Sequence, residues 1–172
     1  MAKTATYSLI NSTTLGSAQS SVTFSSIPST FTDLVLIQTF PNSQITGPYT
    51  SIQFNSDTGT NYSTTFLTGY TSAESNRTTS ANYIRMGVSS YLANAICITQ
   101  IMDYANTTTY KTVLGRNNFG APSGAMQEVQ AQVGLWRSTS AITSIVISRV
   151  LSATDFASGS TFKLYGIEAG NL

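Results

Sequence analysis

The chain has 172 residues, 41% of them hydrophobic and only 9% charged, with a net charge of +1. Its eight Lys and Arg are scattered from Lys3 to Lys163 with no basic run, which speaks against a nucleic-acid partner; its apolar runs, about four residues long, are far too short for a membrane-spanning helix. It has no histidine and one cysteine, so Ser-His-Asp and Cys-His catalysis, an ordinary zinc ligand set and an internal disulfide are all excluded.

An ordinary soluble domain is about 25% charged. Here serine and threonine, 52 of the 172 residues, fill the gap. Threonine suits pleated strands, and both residues are poor helix formers, so composition alone points to β-structure. A monomer with few charges is weakly protected against self-association. Much of this surface is therefore expected to be covered by partners.

Residues 5–10 alternate Tyr7 and Leu9 against Thr6 and Ser8, the pattern of a half-buried strand. Residues 11–20 are polar and read as a loop. Val22 and Phe24 alternate in a short strand, and Pro28 turns the chain, because it fixes its own φ and removes a donor. Leu34-Val35-Leu36-Ile37 follows as a strand covered on both faces. Asp33, just before it, reads as an Asx-type turn acceptor.

Residues 41–48 carry two prolines and a glycine and read as a loop; 51–55 and 62–70 read as strands, with a turn at Ser56-Asp57-Thr58-Gly59. Residues 71–80 hold no aliphatic side chain and read as an exposed loop. Residues 83–86 and 95–104 are strands, with Cys97 as a buried structural thiol. Asp103-Tyr104-Ala105-Asn106 closes the second of them in a turn. Residues 110–116 form a strand and 119–124 a Gly/Pro loop.

Residues 128–135 show the cleanest alternation: Val129, Ala131, Val133 and Leu135 make a dry face, and Glu128, Gln130 and Gln132 a wet one. Strands over 142–150 and 160–168 complete the chain, with a turn of helix near 153–156. About ten short strands separated by turn signals, with no sustained helical period, predict one all-β domain over 1–172, an antiparallel β-sandwich or barrel.

No site chemistry emerges. The seven carboxylates are scattered without a paired motif, no phosphate-binding glycine motif is present, and the Asp57 turn lacks the carboxylates of an EF-hand. The expectation is no enzyme, no cofactor and no metal. Tyr62, Tyr70, Tyr83, Tyr91, Tyr104 and Tyr110 sit in or beside turns and together suit an interface.

Several segments carry a resemblance in their order along the chain. They are Phe24-Ser25-Ser26-Ile27-Pro28, then Phe31-Thr32-Asp33-Leu34-Val35-Leu36, Asn61-Tyr62-Ser63, Asp103-Tyr104-Ala105-Asn106 with Lys111-Thr112, Trp136 with Ala141-Ile142-Thr143, and Gly159-Ser160 with Leu164-Tyr165-Gly166-Ile167. The chain thereby resembles virion proteins of tailed bacteriophages, common in cyanophages, over about residues 6–167. The resemblance implies a jelly-roll sandwich serving as a capsid decoration (cement) protein or as a fibre or tail component. It marks Pro28, Asp33, Asp103, Tyr104, Trp136, Leu164, Tyr165 and Gly166 as structural motif residues.

A fibre carries a repetitive shaft before its head, whereas this chain enters a strand by about residue 5. The expectation is therefore a decoration protein on the outer capsid surface. Its partners would be the major capsid protein and itself, as a homotrimer, with no nucleic acid and no membrane. The alternative is a tail fibre or receptor-binding head that recognises host glycans.

Overall fold

The computed structural model describes residues 6–41, 49–69, 71–88, 94–120, 127–150 and 155–168. Twelve strands lie in these segments: β1 (Tyr7–Thr14), β2 (Ser21–Phe24), β3 (Asp33–Phe40), β4 (Tyr49–Phe54), β5 (Tyr62–Gly69), β6 (Ala73–Ala81), β7 (Ile84–Val88), β8 (Ala95–Met102), β9 (Lys111–Gly120), β10 (Gln127–Trp136), β11 (Ile145–Val150) and β12 (Thr161–Ile167). Every pairing between them is antiparallel. They form an eight-stranded sheet, β1-β12-β3-β8-β9-β10-β5-β6, and a four-stranded sheet, β2-β11-β4-β7. The all-β sandwich expected from composition and alternation is what the chain forms, with no helix among the described residues.

The core fills the space between the sheets. Phe24, Ile52, Phe54, Ile145 and Ile147 come from the small sheet, and Leu34, Leu36, Trp136, Phe162 and Leu164 from the large one. Phe162 meets Phe156 and Phe40 edge-on at 5.0 and 5.8 Å.

Some boundaries move. Residues 71–80, expected as a loop, hold most of β6, which is exposed along nearly its whole length. It lacks aliphatics because it covers nothing; the ladder from Thr64, Phe66 and Thr68 of β5 to Thr78, Asn76 and Glu74 makes it a strand. An edge strand bearing Glu74 and Arg77 discourages further pairing. β1 continues through 11–14, past a register shift between Leu9 and Asn11, and β9 continues to Gly120. Phe156 bridges Gln19, and the rest of the expected helical turn near 153–156 falls mostly outside the described residues. The loops expected at 41–48 and 119–124 also lie largely outside them.

β10 reverses its expected orientation. The alternation is present, but Val129 and Val133 are 61% and 51% exposed, while Gln130 and Gln132 are buried. The far end of the strand decides this. Trp136 is buried against Phe54 and Tyr62. Gly134 lies under Ile84 of β7, so closely that a Cβ there would stand 2.6 Å from Ile84 Cγ2. Side chains alternate faces strictly, so with Gly134 and Trp136 inside, Gln132 and Gln130 follow them and the aliphatics point out.

Inside, the amides pair with one another. Gln132 Nε2 donates to Asn117 Oδ1 at 2.6 Å and to Gln130 Oε1 at 3.0 Å, and Gln130 Nε2 donates to Glu128 Oε1. The pairing is incomplete: Asn117 Nδ2, Gln132 Oε1 and both polar atoms of the Gln38 amide are buried without a hydrogen-bond partner. Each such group costs about 1–3 kcal/mol of desolvation, a cost that follows from the register.

Gly134→Ala is expected to destabilise the fold by about 1–3 kcal/mol, because Ile84 has to move. A urea denaturation midpoint measures this; an unchanged midpoint would mean that Gly134 does not set the register.

Candidate functional site

Most of the motif residues nominated from the sequence converge at one end of the sandwich. The Tyr104 hydroxyl donates to the carbonyl of Pro28 and accepts the Phe31 N–H at 3.4 Å. Asp33 accepts the Asp103 N–H at 2.8 Å and the Gln100 side-chain amide at 3.0 Å. Its partners lie 70 and 67 positions away, so it is a long-range clasp and not the local Asx acceptor expected. Asp103 itself sits at φ 48°, a left-handed position that aspartate tolerates better than most residues. The Phe31 ring lies over Gly166, where a Cβ would come within 2.2 Å of it. Pro28, Asp33, Asp103, Tyr104 and Gly166 thus form one latch, joining the turn after β2 to β3, β8 and β12.

Trp136 belongs to a second corner. Its indole N–H donates to Asp57 Oδ2 at 2.7 Å, and Asn61 and the Gly59 N–H also donate to that carboxylate. Burial works against ionisation of Asp57, but these donors outweigh it and hold its pKa below the ordinary 3.8. The Tyr62 ring stacks on Trp136, and its hydroxyl accepts the Phe54 N–H at 3.0 Å. Burial pushes that phenol up to about 12. Of the remaining motif residues, Leu164 is core and Tyr165 meets Tyr7 edge-on at 6.5 Å.

These groups fasten turns and present no reacting atom. The same holds for Cys97, which is buried, with its thiol pushed up to about 11 by desolvation. The turn tyrosines divide: Tyr62 and Tyr104 are buried, Tyr83 is half-buried, Tyr110 is exposed, and Tyr70 and Tyr91 lie outside the described residues. Among the described residues no group of three or more Asp, Glu or Cys stands close enough to hold a metal ion.

The feature that sequence reasoning missed is the outer face of the large sheet. Along one line across it Val133 pairs with Leu114, Leu114 with Gln100, Gln100 with Val35, Val35 with Tyr165 and Tyr165 with Leu9. Leu67, Ala131, Arg116, Ile98 and Ile37 make a neighbouring row. Val129, Leu67, Leu9, Tyr7, Val133, Leu114 and Ile96 are each 45–61% exposed. Exposed apolar side chains gathered on one sheet face mark a candidate interaction surface. The clue in the sequence was the glycine two residues before Trp136 in β10, which marks the tight inner side.

A polar cleft opens beside β6, on the opposite side of the large sheet. Tyr49, Phe66, Glu74, Arg85, Glu128 and Gln130 line a volume of about 310 Å³. The Arg85 guanidinium lies 3.0 Å from the Tyr49 ring centroid and 4.1 Å from that of Phe66. Desolvation lowers its pKa, partly offset by Tyr49 and Glu128.

No protein-family model matches the chain, and no curated protein matches it. Among solved structures it is similar at a TM-score of 0.24 and 4% identity to one described as "Catalytic domain of PdAgaC", covering 82% of this chain and 65% of that one. A likeness at that level carries no argument about fold or activity. The chain spans about 65% of the length of that structure.

Removing the Tyr104 hydroxyl in Tyr104→Phe leaves the Phe31 N–H and the Pro28 carbonyl without it, and is expected to cost about 1–2 kcal/mol in chemical denaturation; no loss would remove the latch from the account. Asp57 gives a pH signature. Its folded pKa is depressed, so its contribution is complete above the unfolded carboxylate value near 3.8 and is lost as pH falls through the lower folded value. Acid titrations of stability should therefore be steepest between about pH 3.8 and that lower folded value in the native chain, and flatter over that range in Asp57→Asn.

Proposed function

We propose that this protein is a bacteriophage virion structural protein, a decoration protein that sits on the capsid and clamps neighbouring major capsid subunits. One observation carries the reading: the apolar outer face of the large sheet, on a chain with few charges and with Gln130 and Gln132 turned inward. A protein that works alone in water gains nothing from exposing Val129, Val133 and Leu67 while burying Gln130 and Gln132. A protein that works by covering neighbours gains from each aliphatic removed from water, about 25 cal/mol per Å².

The mechanism is mass action and needs no chemical step. A protein that binds only the assembled shell stabilises it against disassembly, and many copies each adding a few kcal/mol suffice. The latch and the Trp136 corner keep the sandwich stiff, so that little ordering cost is incurred on binding. The jelly-roll identity, the capsid location and the capsid partner come from the family resemblance, to which the exposed face adds a physical motive.

A second reading is a receptor-binding head on the tail that recognises host glycans. The cleft of Tyr49, Arg85, Glu74 and Glu128 favours it, since carboxylates, a guanidinium and an amide around an open volume suit sugar hydroxyls.

Immunogold labelling of intact phage particles with antibody to this chain tests both. Label over the capsid surface is the expected result. Label confined to the tail tip would select the receptor-binding reading, and particles without label would remove both.

A further inference from the structure

We infer that the cleft beside β6 is a site for a neutral saccharide of one or two rings, with Glu128 held ready as a hydrogen-bond acceptor by a chain of buried amides. This deepens the second reading and rests on it only in that the cleft holds a glycan. It needs neither the tail nor the apolar face.

The first reason is the amide chain. Gln132 Nε2 donates to Asn117 Oδ1 at 2.6 Å and to Gln130 Oε1 at 3.0 Å, and Gln130 Nε2 donates in turn to Glu128 Oε1. Gln132 is 1% exposed, and Gln130 and Asn117 are 6% exposed. The register puts side chains 130 and 132 inside, but it does not require them to be polar. Apolar side chains of like volume would fill the space without leaving Gln132 Oε1 and Asn117 Nδ2 unpaired. What the amides do, and apolar groups cannot, is fix the carboxylate at the end of the chain. That carboxylate lines the cleft together with Gln130. A contact group supported from behind by buried hydrogen bonds is the arrangement of a preorganised site, and local folding rules are broken where function requires it.

The second reason is the wall opposite in chemistry. The Arg85 guanidinium is held between the rings of Tyr49 and Phe66, so its rotamers are restricted before a ligand arrives. Glu74 pairs with Thr68 and Thr68 with Gln130, which sets an acceptor, a hydroxyl and an amide in one row across three adjacent strands. The volume, about 310 Å³, is at the small end of ligand clefts, about 300–1,000 Å³, and limits the occupant to one or two sugar rings.

The third reason is charge. The charged lining residues are Glu74, Glu128 and Arg85, two carboxylates against one guanidinium. An acidic sugar would set its charge against both carboxylates. A cationic ligand would stand beside a guanidinium that is already desolvated. A sugar hydroxyl both donates and accepts, so a neutral sugar satisfies the carboxylates and the guanidinium at once.

The test uses the full chain on an array of mono- to trisaccharides in two sets. One set is neutral, hexoses and N-acetylhexosamines; the other is acidic, with uronic, sialylated and sulfated sugars. Calorimetric titration follows for the best binder of each set. Neutral sugars are expected to bind, and acidic ones about tenfold more weakly or worse. Glu74→Gln, on the exposed edge strand, and Glu128→Gln, whose amide oxygen still accepts from Gln130, keep the fold. With both changes Arg85 is the one charge left in the lining, and the preference should invert: neutral binding falls about tenfold and acidic binding rises. Gln132→Leu, with folding verified by a thermal melt, should weaken neutral binding about three- to tenfold without inverting the preference. A merely structural amide chain would shift the melt and leave affinity unchanged, and that result would overturn the role given to the chain. A native chain that prefers acidic sugars would overturn the inference and leave the second reading standing. So would neutral binding that survives the double variant, which would put the glycan elsewhere on the surface. Binding of neither set would remove the inference and the second reading together, and leave the capsid proposal untouched.

Discussion

The contact between Gly134 and Ile84 sets the orientation of half the large sheet. β7 approaches β10 so closely that only a glycine fits beneath it. Two residues further, Trp136 occupies the core and holds the Asp57 turn through its indole N–H. Two neighbouring inward positions leave β10 no freedom of parity, because a strand has only two faces. Through the ladders, β9 and β8 on one side and β5 on the other take the same sense. Gly115 of β9 repeats the theme under Met86 Cε.

The consequence is a sandwich with an unusual distribution of polarity. Asn117, Gln130 and Gln132 line part of the interior and satisfy one another incompletely, while Val129, Val133, Leu67 and Leu114 face out. Both features are unfavourable for an isolated chain. Such a distribution becomes favourable once the outer face is covered.

Stability at the ends of the sandwich comes from polar groups held far from their sequence neighbours. Asp33 reaches the turn after β8, Tyr104 reaches back to Pro28, and Asn55 accepts the N–H groups of Thr143 and Ser144. Lys111 is buried and satisfies its ammonium with the carbonyls of Thr109 and Thr139, burial lowering its pKa. These bonds let a chain poor in charged side chains fix its loops, since a buried polar group must find a partner or incur its desolvation cost.

By itself the sequence determined the class of structure, the place of most strands and the absence of histidine and disulfide chemistry, because period-two alternation, turn residues and residue counts are local quantities. It also singled out Pro28, Asp33, Asp103, Tyr104 and Gly166, though not that they meet. Which side of β10 is the inside was a tertiary decision: alternation is symmetric between its two faces, and the packing of Ile84 on Gly134 together with the burial of Trp136 breaks the symmetry. β6 likewise became a strand through the ladder that β5 supplies, without an apolar pattern of its own, and Asp33 found its donors on a strand that the chain reaches only some 70 residues later.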